Sequence, residues 1–314
     1  MDPEINRAIP ILTGLGCSYK CTFCENALLG HKHFSMSADD VMEQILYYKE
    51  NFNIDSFAFF DEDCFHDKKR LFQLIELLEK HDLGIKWGAQ SRANYIRSRY
   101  IDAGVLKRLA AAGCVRISMG VESGAPRMLK KIKKGLTREM VLNAAEIAKD
   151  SSIYFSYSFI VQLPGETRYE FLQTFDLIHK LQTTKKNSFV SAIHYYLSYP
   201  GTPLSLEMEE EHGIKLEGQL SFEDFALYDL KEYNSLVNPQ PAAMDMVREC
   251  ALFHFRHREY VFNFENALRS PLRLTKLIYP YIFRIIGNIR YHFNFYYLPF
   301  EIYFDRGIKR VMGK

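Results

Sequence analysis

No stretch of this sequence reaches the roughly eighteen uninterrupted apolar residues of a membrane-spanning helix. Arg273, Lys276, Arg284 and Arg290 break up the most apolar part. The opening MDPEINRAIPILTG places acids before its apolar stretch and has no long hydrophobic segment, so it does not read as a secretory leader, and a cytoplasmic location is expected. Internal repeats and low-complexity segments are absent. The short acidic run Glu207–Glu211 reads as a solvated face. A net charge of +2 is too small to nominate a partner. Six cysteines in 314 residues are better suited in a reducing compartment to metal ligation or burial than to a disulfide framework. What remains is an ordinary globular balance, 47% hydrophobic and 25% charged, long enough for one large α/β domain or a core with an appendage.

From about residue 9 to 200, short β-rich runs alternate with longer helical patterns. Strands are predicted at Ala8–Leu15, Ser56–Phe60, Ile85–Ala89, Val115–Met119, Tyr154–Val161 and Phe189–Leu197, each rich in β-branched, aromatic or other apolar residues. Helices are predicted near Ala38–Asn51, Lys68–His81, Ile101–Ala112, Arg138–Lys149 and Thr167–Leu181, with Ser37 and Thr137 as N-caps. Six parallel strands fit either an open sheet or most of a (β/α) barrel. Both place chemistry at the C-terminal strand ends, where the unusual residues fall.

Gly16-Cys17-Ser18-Tyr19-Lys20-Cys21-Thr22-Phe23-Cys24 has the spacing C-x3-C-x2-C. Three thiolates on one short loop can converge on one metal centre, and on a four-iron cluster they leave one iron open to an outside ligand. The competing readings are a zinc knuckle completed by His31 or His33, or unrelated buried thiols. Cys64, Cys114 and Cys250 lack partner spacing and read as buried thiols, Cys64 lying just beyond the acidic stretch Asp61-Glu62-Asp63. Taken alone, that stretch reads as a solvated turn.

The motif C-x3-C-x-aromatic-C resembles that of the radical S-adenosylmethionine superfamily, with Phe23 as the aromatic. F-x-D-E, Trp87 to Arg92, G-V-E-S-G, L-P-G-E-T and Y-P-G-T-P-L resemble more narrowly the subgroup of cobalamin-dependent radical enzymes and methylthiotransferases, over about residues 5–205. The resemblance implies a [4Fe–4S] cluster on Cys17, Cys21 and Cys24, with S-adenosylmethionine chelating the fourth iron through its amino and carboxylate groups. One electron, from a donor such as flavodoxin or ferredoxin, then cleaves the sulfonium to give a 5′-deoxyadenosyl radical. By the same resemblance Phe23 lies near the adenine, and Asp61, Glu62 and Asp63 accept hydrogen bonds from the methionine amine. Glu122, with Ser123 in the same turn, meets the ribose or amine. Lys134 pairs with the methionine carboxylate, Arg92 being a second cation of that kind. Each of these two cations also reads as a surface charge, Lys134 lying among Lys130, Lys131 and Lys133. Ser158 and Leu163–Glu166 match the region that contacts adenine or ribose. Gln162 stands where relatives carry Gly.

The expected fold is therefore α/β, an incomplete (β/α)6 TIM-like barrel over residues 1–205 with a helical, basic and aromatic-rich C-terminal module over residues 206–314. The cobalamin domain that usually precedes the cysteines in that subgroup is not seen here, so cobalamin would come from a separate subunit or be caught by the barrel. From Arg269 to Lys314, nine Lys or Arg stand against Glu301 and Asp305 in a segment crowded with Tyr, Phe and Ile. This segment packs on the barrel, contacts an anionic membrane surface, or, less favoured, binds nucleic acid. The expected substrate is a small organic or lipid-like molecule.

Overall fold

The computed structural model describes residues 8–30, 32–213, 282, 285–287, 289–290, 292–293 and 303. The chain divides into two units, Met1–Asn238 and Pro239–Lys314. In the second unit the described positions are helical. The rest of the basic segment after Arg269, like Cys250, lies outside the described residues. Among the described residues no helix is long and apolar enough to cross a membrane.

In the first unit the first described element is β1 (Ala8–Ile11), followed by a small antiparallel ribbon of β2 (Gly14–Gly16) and β3 (His33–Ser35). There follow α1 (Ala38–Phe52), β4 (Ser56–Phe59), α2 (Lys68–His81), β5 (Lys86–Ser91), α3 (Ala103–Ala111), β6 (Cys114–Glu122), α4 (Pro126–Lys131), α5 (Arg138–Ile147), β7 (Tyr154–Val161), α6 (Arg168–Thr184), β8 (Ser188–Tyr195) and α7 (Pro203–His212). Strands β1, β4, β5, β6, β7 and β8 form one all-parallel sheet in chain order. No bond closes β8 onto β1 among the described residues. This is the open, incomplete barrel, with all its βα loops gathered at one end.

Capping residues set the helix limits. Ser37, Asp67, Asp102, Thr137, Thr167 and Thr202 each accept a hydrogen bond from a first-turn amide. Because Asp102 caps, α3 starts two residues later than Ile101, where the sequence pattern begins. Thr167 and Glu170 complete a reciprocal capping box. The predicted strand Ala8–Leu15 is corrected to two: the chain breaks at Leu12 and Thr13, because Thr13 is held by side chains from elsewhere, as described below.

The two faces of the sheet differ. Phe57, Phe59, Trp87, Ile117, Phe155 and Tyr157 are buried, and Trp87 donates its indole N–H to Ala112 O at 2.7 Å. The apolar stripes of the helices are buried likewise, through Val41 and Ile45, Leu71 and Ile75, Leu106 and Leu109, and Leu177 and Ile178. Each such side chain contributes about 1.5–3 kcal/mol. The opposite register positions include Ala58, Gly88, Gln90, Ser118, Gly120, Ser156, Ser158 and Ala192 across the middle of the sheet, with Arg116, Tyr154 and Phe189 toward the strand starts and Ile160 and His194 toward the strand ends. Those in the middle are small or polar, and Ser156 Oγ donates to Ser118 Oγ at 2.7 Å. The small side chains across the middle of this face leave room above it.

Candidate active site

The cysteines lie immediately after β2, on a loop pinned at both ends. Gly16 has φ +78°, and a Cβ there would stand 2.2 Å from Lys32 O, so only glycine fits the entry. Gly16 N donates to the exposed Glu62 at 3.0 Å. Farther along, Thr22 N donates to Ile132 O at 3.0 Å, and Leu204 N donates to Thr22 O at 2.9 Å, tying the loop to the ends of α4 and α7. Phe23 packs against a cluster of Ala125, Met128, Ile132, Leu163, Tyr196 and Leu204. Cys21 is buried, Cys17 and Cys24 are half-buried, and all three are free thiols. Asn26 Nδ2 donates to Cys24 Sγ at 3.7 Å. Burial pushes the Cys17 thiol up; the nearby Asp63 carboxylate adds to this, and a backbone hydrogen bond at Tyr19 opposes it. Among the described residues no three His, Cys, Asp or Glu are gathered to hold a single ion. A four-iron cluster asks for something else, one thiolate at each of three irons.

The acidic stretch splits into three roles. Asp61 is buried and accepts from Thr13 N and Thr13 Oγ1, both at 2.7 Å, with Arg70 Nη2 3.9 Å away. Arg70 also donates to Thr13 O at 3.3 Å, so Asp61 is spent on locking the turn between β1 and β2. Glu62 holds Gly16. Asp63 is fully buried and accepts from Tyr95 OH at 2.7 Å through Oδ2, while its Oδ1 has no hydrogen-bond partner among the described residues. Burial pushes its carboxyl above the usual range, against the hydrogen bond from Tyr95 and the charge of Arg92. His66 lies 3.7 Å from Asp63, within 3.3 Å of Tyr95 OH and 3.5 Å of Ser18 Oγ, and its ring neighbours that of His33.

Two buried cations meet the aromatics of the cysteine loop. Arg92, at the end of β5, lies over the Tyr19 ring at 3.4 Å and donates to Lys134 O. Its Nε has no partner among the described residues. Lys134 Nζ donates to Glu122 Oε1 at 2.6 Å, in a pair buried on both sides, and stands 5.9 Å from the centre of the Phe23 ring. Glu122 ends β6 in the left-handed region at φ +68°. A Cβ on Gly120 would stand 2.4 Å from Glu122 Oε1, so the glycine makes room for the pair.

Not every predicted residue joins them. Ser123 points its hydroxyl to Thr174 of α6 at 3.2 Å and accepts from Ala125 N, which makes it a joint between elements. Ser158 stays on the small-residue face beside Gly120. Gln162 has φ +62° and donates its N–H to Glu166 at 2.8 Å, so its backbone takes the conformation a glycine would adopt freely. Sequence reasoning missed Tyr19, Tyr95 and His66. Tyr19 had a signal, an aromatic inside the cysteine spacing.

An open parallel barrel bearing three loop thiols, an unpartnered buried carboxylate oxygen and two buried cations at its mouth defines a class of iron–sulfur enzyme. The sequence profile of the Radical SAM superfamily matches residues 11–178, and the chain belongs to that family. The family uses a [4Fe–4S] cluster and S-adenosylmethionine. An uncharacterised methyltransferase of Pyrococcus horikoshii is 29% identical over 195 residues, 62% of this chain and 40% of that protein. The anaerobic magnesium-protoporphyrin IX monomethyl ester cyclase of Rubrivivax gelatinosus is 26% identical over 232 residues, 73% of this chain and 38% of that one. The chain thus spans about two-fifths of the length of these relatives. Among solved structures, the cobalamin-dependent S-adenosylmethionine radical enzyme OxsB, with aqua-cobalamin and S-adenosylmethionine bound, matches with TM-score 0.58 at 19% identity, over 89% of this chain and 50% of that one. The radical methyltransferase TsrM from Kitasatospora setae, with cobalamin and a [4Fe–4S] cluster bound, gives 0.56 at 18% identity, over 67% of this chain and 38% of that one. At these identities the structures show a common fold.

Proposed function

We propose that the chain holds a [4Fe–4S] cluster on Cys17, Cys21 and Cys24 and reductively cleaves S-adenosylmethionine there, directing radical chemistry at a small organic or lipid-like substrate. The observation that carries the reading is the pairing of loop aromatics with buried cations, Tyr19 with Arg92 and Phe23 with Lys134, which brings the strand-end charges to the cysteine loop. The bound pair of cofactors would supply a 5′-deoxyadenosyl radical able to take hydrogen from an unactivated carbon. The protein's own residues bind and orient. The buried, unpaired Oδ1 of Asp63 suits an ammonium group, and Arg92 with Lys134 suits a carboxylate, so donors and acceptors match a zwitterionic amino-acid moiety. Asp61 and Arg70 act indirectly by fixing the turn that leads into the cysteine loop. Glu122, and Ser158 with Gln162, border the space where ribose and adenine would lie. The small side chains across the middle of the face below leave space for the substrate.

The names of the relatives support methyl transfer as one outcome beside ring cyclisation, with cobalamin, where used, supplied by another module or subunit. Neither cytoplasmic location nor membrane contact by the basic segment changes the site chemistry. The test is anaerobic reconstitution followed by dithionite and S-adenosylmethionine. Formation of 5′-deoxyadenosine is expected, and a fully loaded cluster that yields none overturns the reading. S-adenosylhomocysteine appearing alongside it once cobalamin is added would mark methyl transfer.

A further inference from the structure

The short turn after the third cysteine is packed in reverse of an ordinary surface turn. Its leucines, Leu28 and Leu29, are 55% and 66% exposed, while the polar Asn26 is 6% exposed. Glu25 and Gly30 are exposed as well and Ala27 is half-buried, so Asn26 is the one buried residue of the stretch 25–30. Burying a carboxamide is unfavourable unless its polar atoms are paired. Here the pairing is partial. Asn26 Nδ2 donates to Cys24 Sγ at 3.7 Å, and Oδ1 has no hydrogen-bond partner among the described residues.

The backbone holds this amide in place. Ala27 N donates to Cys24 O at 3.0 Å, Leu28 N to Glu25 O at 2.8 Å and Leu29 N to Asn26 O at 3.2 Å, closing a tight turn over Glu25–Ala27. Asn26 also lies against the entry to the cysteine loop, since a Cβ on Gly16 would stand 3.9 Å from its Oδ1. A side chain that served only to brace the loop would use both ends of its amide. Asn26 commits its N–H to a sulfur and leaves its oxygen unpaired. Charge sets that orientation, because a thiolate attracts the N–H and repels the carbonyl oxygen. Cys17 differs. Its hydrogen bond comes from the backbone at Tyr19, which any residue but proline would supply there, whereas the bond to Cys24 depends on the side chain two positions on.

We infer that Asn26 is a positioning residue that sets the reduction potential of the metal centre through its hydrogen bond to Cys24 Sγ. The inference rests on the proposed [4Fe–4S] cluster. When such a cluster gains one electron, the added charge is shared with its sulfurs, so a donor to a ligand sulfur stabilises the reduced state more than the oxidised one and makes reduction easier. No bond breaks in this step, and the proton stays on Nδ2. Cys24 is half-buried and the amide is buried, so water does not readily supply an equal bond, and the low local dielectric strengthens the one present. On the proposed reading, reduction starts the chemistry. The side chain at position 26 then decides how strong a reductant the protein needs.

The test reads the potential of the full chain with its cluster loaded, by potentiometry followed by EPR and without S-adenosylmethionine. Asn26→Leu keeps the shape of the side chain and removes the donor. At a fixed ambient potential its ratio of reduced to oxidised cluster should fall about tenfold, a lowering of about 59 mV for a one-electron couple. Asn26→Asp places an acceptor beside the sulfur and should lower the ratio further. A bracing role alone predicts changed iron content or folding with the potential unmoved. Wild-type protein carrying nitrogen-15 asparagine gives a reading independent of whether the variants load: pulsed EPR of its reduced cluster should show a coupled asparagine nitrogen. A ratio within twofold of wild type in the loaded variants, or no asparagine nitrogen coupled to the wild-type cluster, would overturn the inference. A wild-type chain that loads no cluster overturns the proposed function with it. A loaded chain whose potential shifts as expected yet makes no 5′-deoxyadenosine refutes cleavage alone and leaves the role of Asn26 standing.

Discussion

The two faces of the parallel sheet, a few ångströms apart, do different work. One is packed with Phe57, Phe59, Trp87, Phe155 and Tyr157, and tolerates no solvent. The other carries Ala58, Gly88, Ser118, Gly120 and Ser158, gaining little from burial. Alternation along a strand thus separates what holds the fold from what makes room for chemistry. Both meet at the strand ends, where Glu122, Arg92 and the cysteine loop gather.

Breaking each side should give opposite phenotypes. The largest effect is expected from Cys21→Ala: iron content and cluster absorbance should collapse and 5′-deoxyadenosine fall to background, while circular dichroism of the folded protein is kept. Trp87→Ala attacks the packed face. It should cost about 3–5 kcal/mol in urea unfolding, yet leave turnover per loaded cluster nearly unchanged. Glu122→Gln leaves Lys134 buried without its counter-charge and should cost about 3 kcal/mol. Adding Lys134→Met should recover part of that stability without restoring S-adenosylmethionine binding, read by a double-mutant cycle beside calorimetry. The smallest effect comes from Lys185, at the end of α6, fully buried and donating to Ser151 O at 2.8 Å. Burial lowers its pKa from the ordinary 10.5 to about 8. Between those values the unfolded chain binds the extra proton, so stability should rise with pH from about 8 to 10.5. Lys185→Met should flatten that slope in urea midpoints measured across the range.

Periodicity carried the sheet and most helices. Tyr154–Val161 and Lys68–His81 could be read at their observed limits because apolar pattern and local caps agree there. Pattern failed where long-range side chains intervene. Ala8–Leu15 reads as one strand, but Asp61 and Arg70, distant in sequence, take Thr13 and divide it. The short α4, started by Pro126 with only six residues, carries too little periodicity to be seen. In the site, the cysteines were legible because their spacing is local. That Lys134 pairs with Glu122 and lies over Phe23, that Asp61 is structural whereas Asp63 keeps a buried, unpaired oxygen, and that Ser123 faces α6 are facts of tertiary geometry. A list of residues does not contain them.

The stacking of Tyr19 on Arg92 and of Phe23 beside Lys134 would, on the proposed reading, make one loop answer to two ligands. On that reading a cluster that ordered the loop would also set the two cations, and a co-substrate engaging the cations would steady the loop. Binding free energies linked in this way are reciprocal, so each ligand would raise affinity for the other by the same factor. Loading in either order ends at one state, and loss of the metal centre to oxygen would release the co-substrate with it.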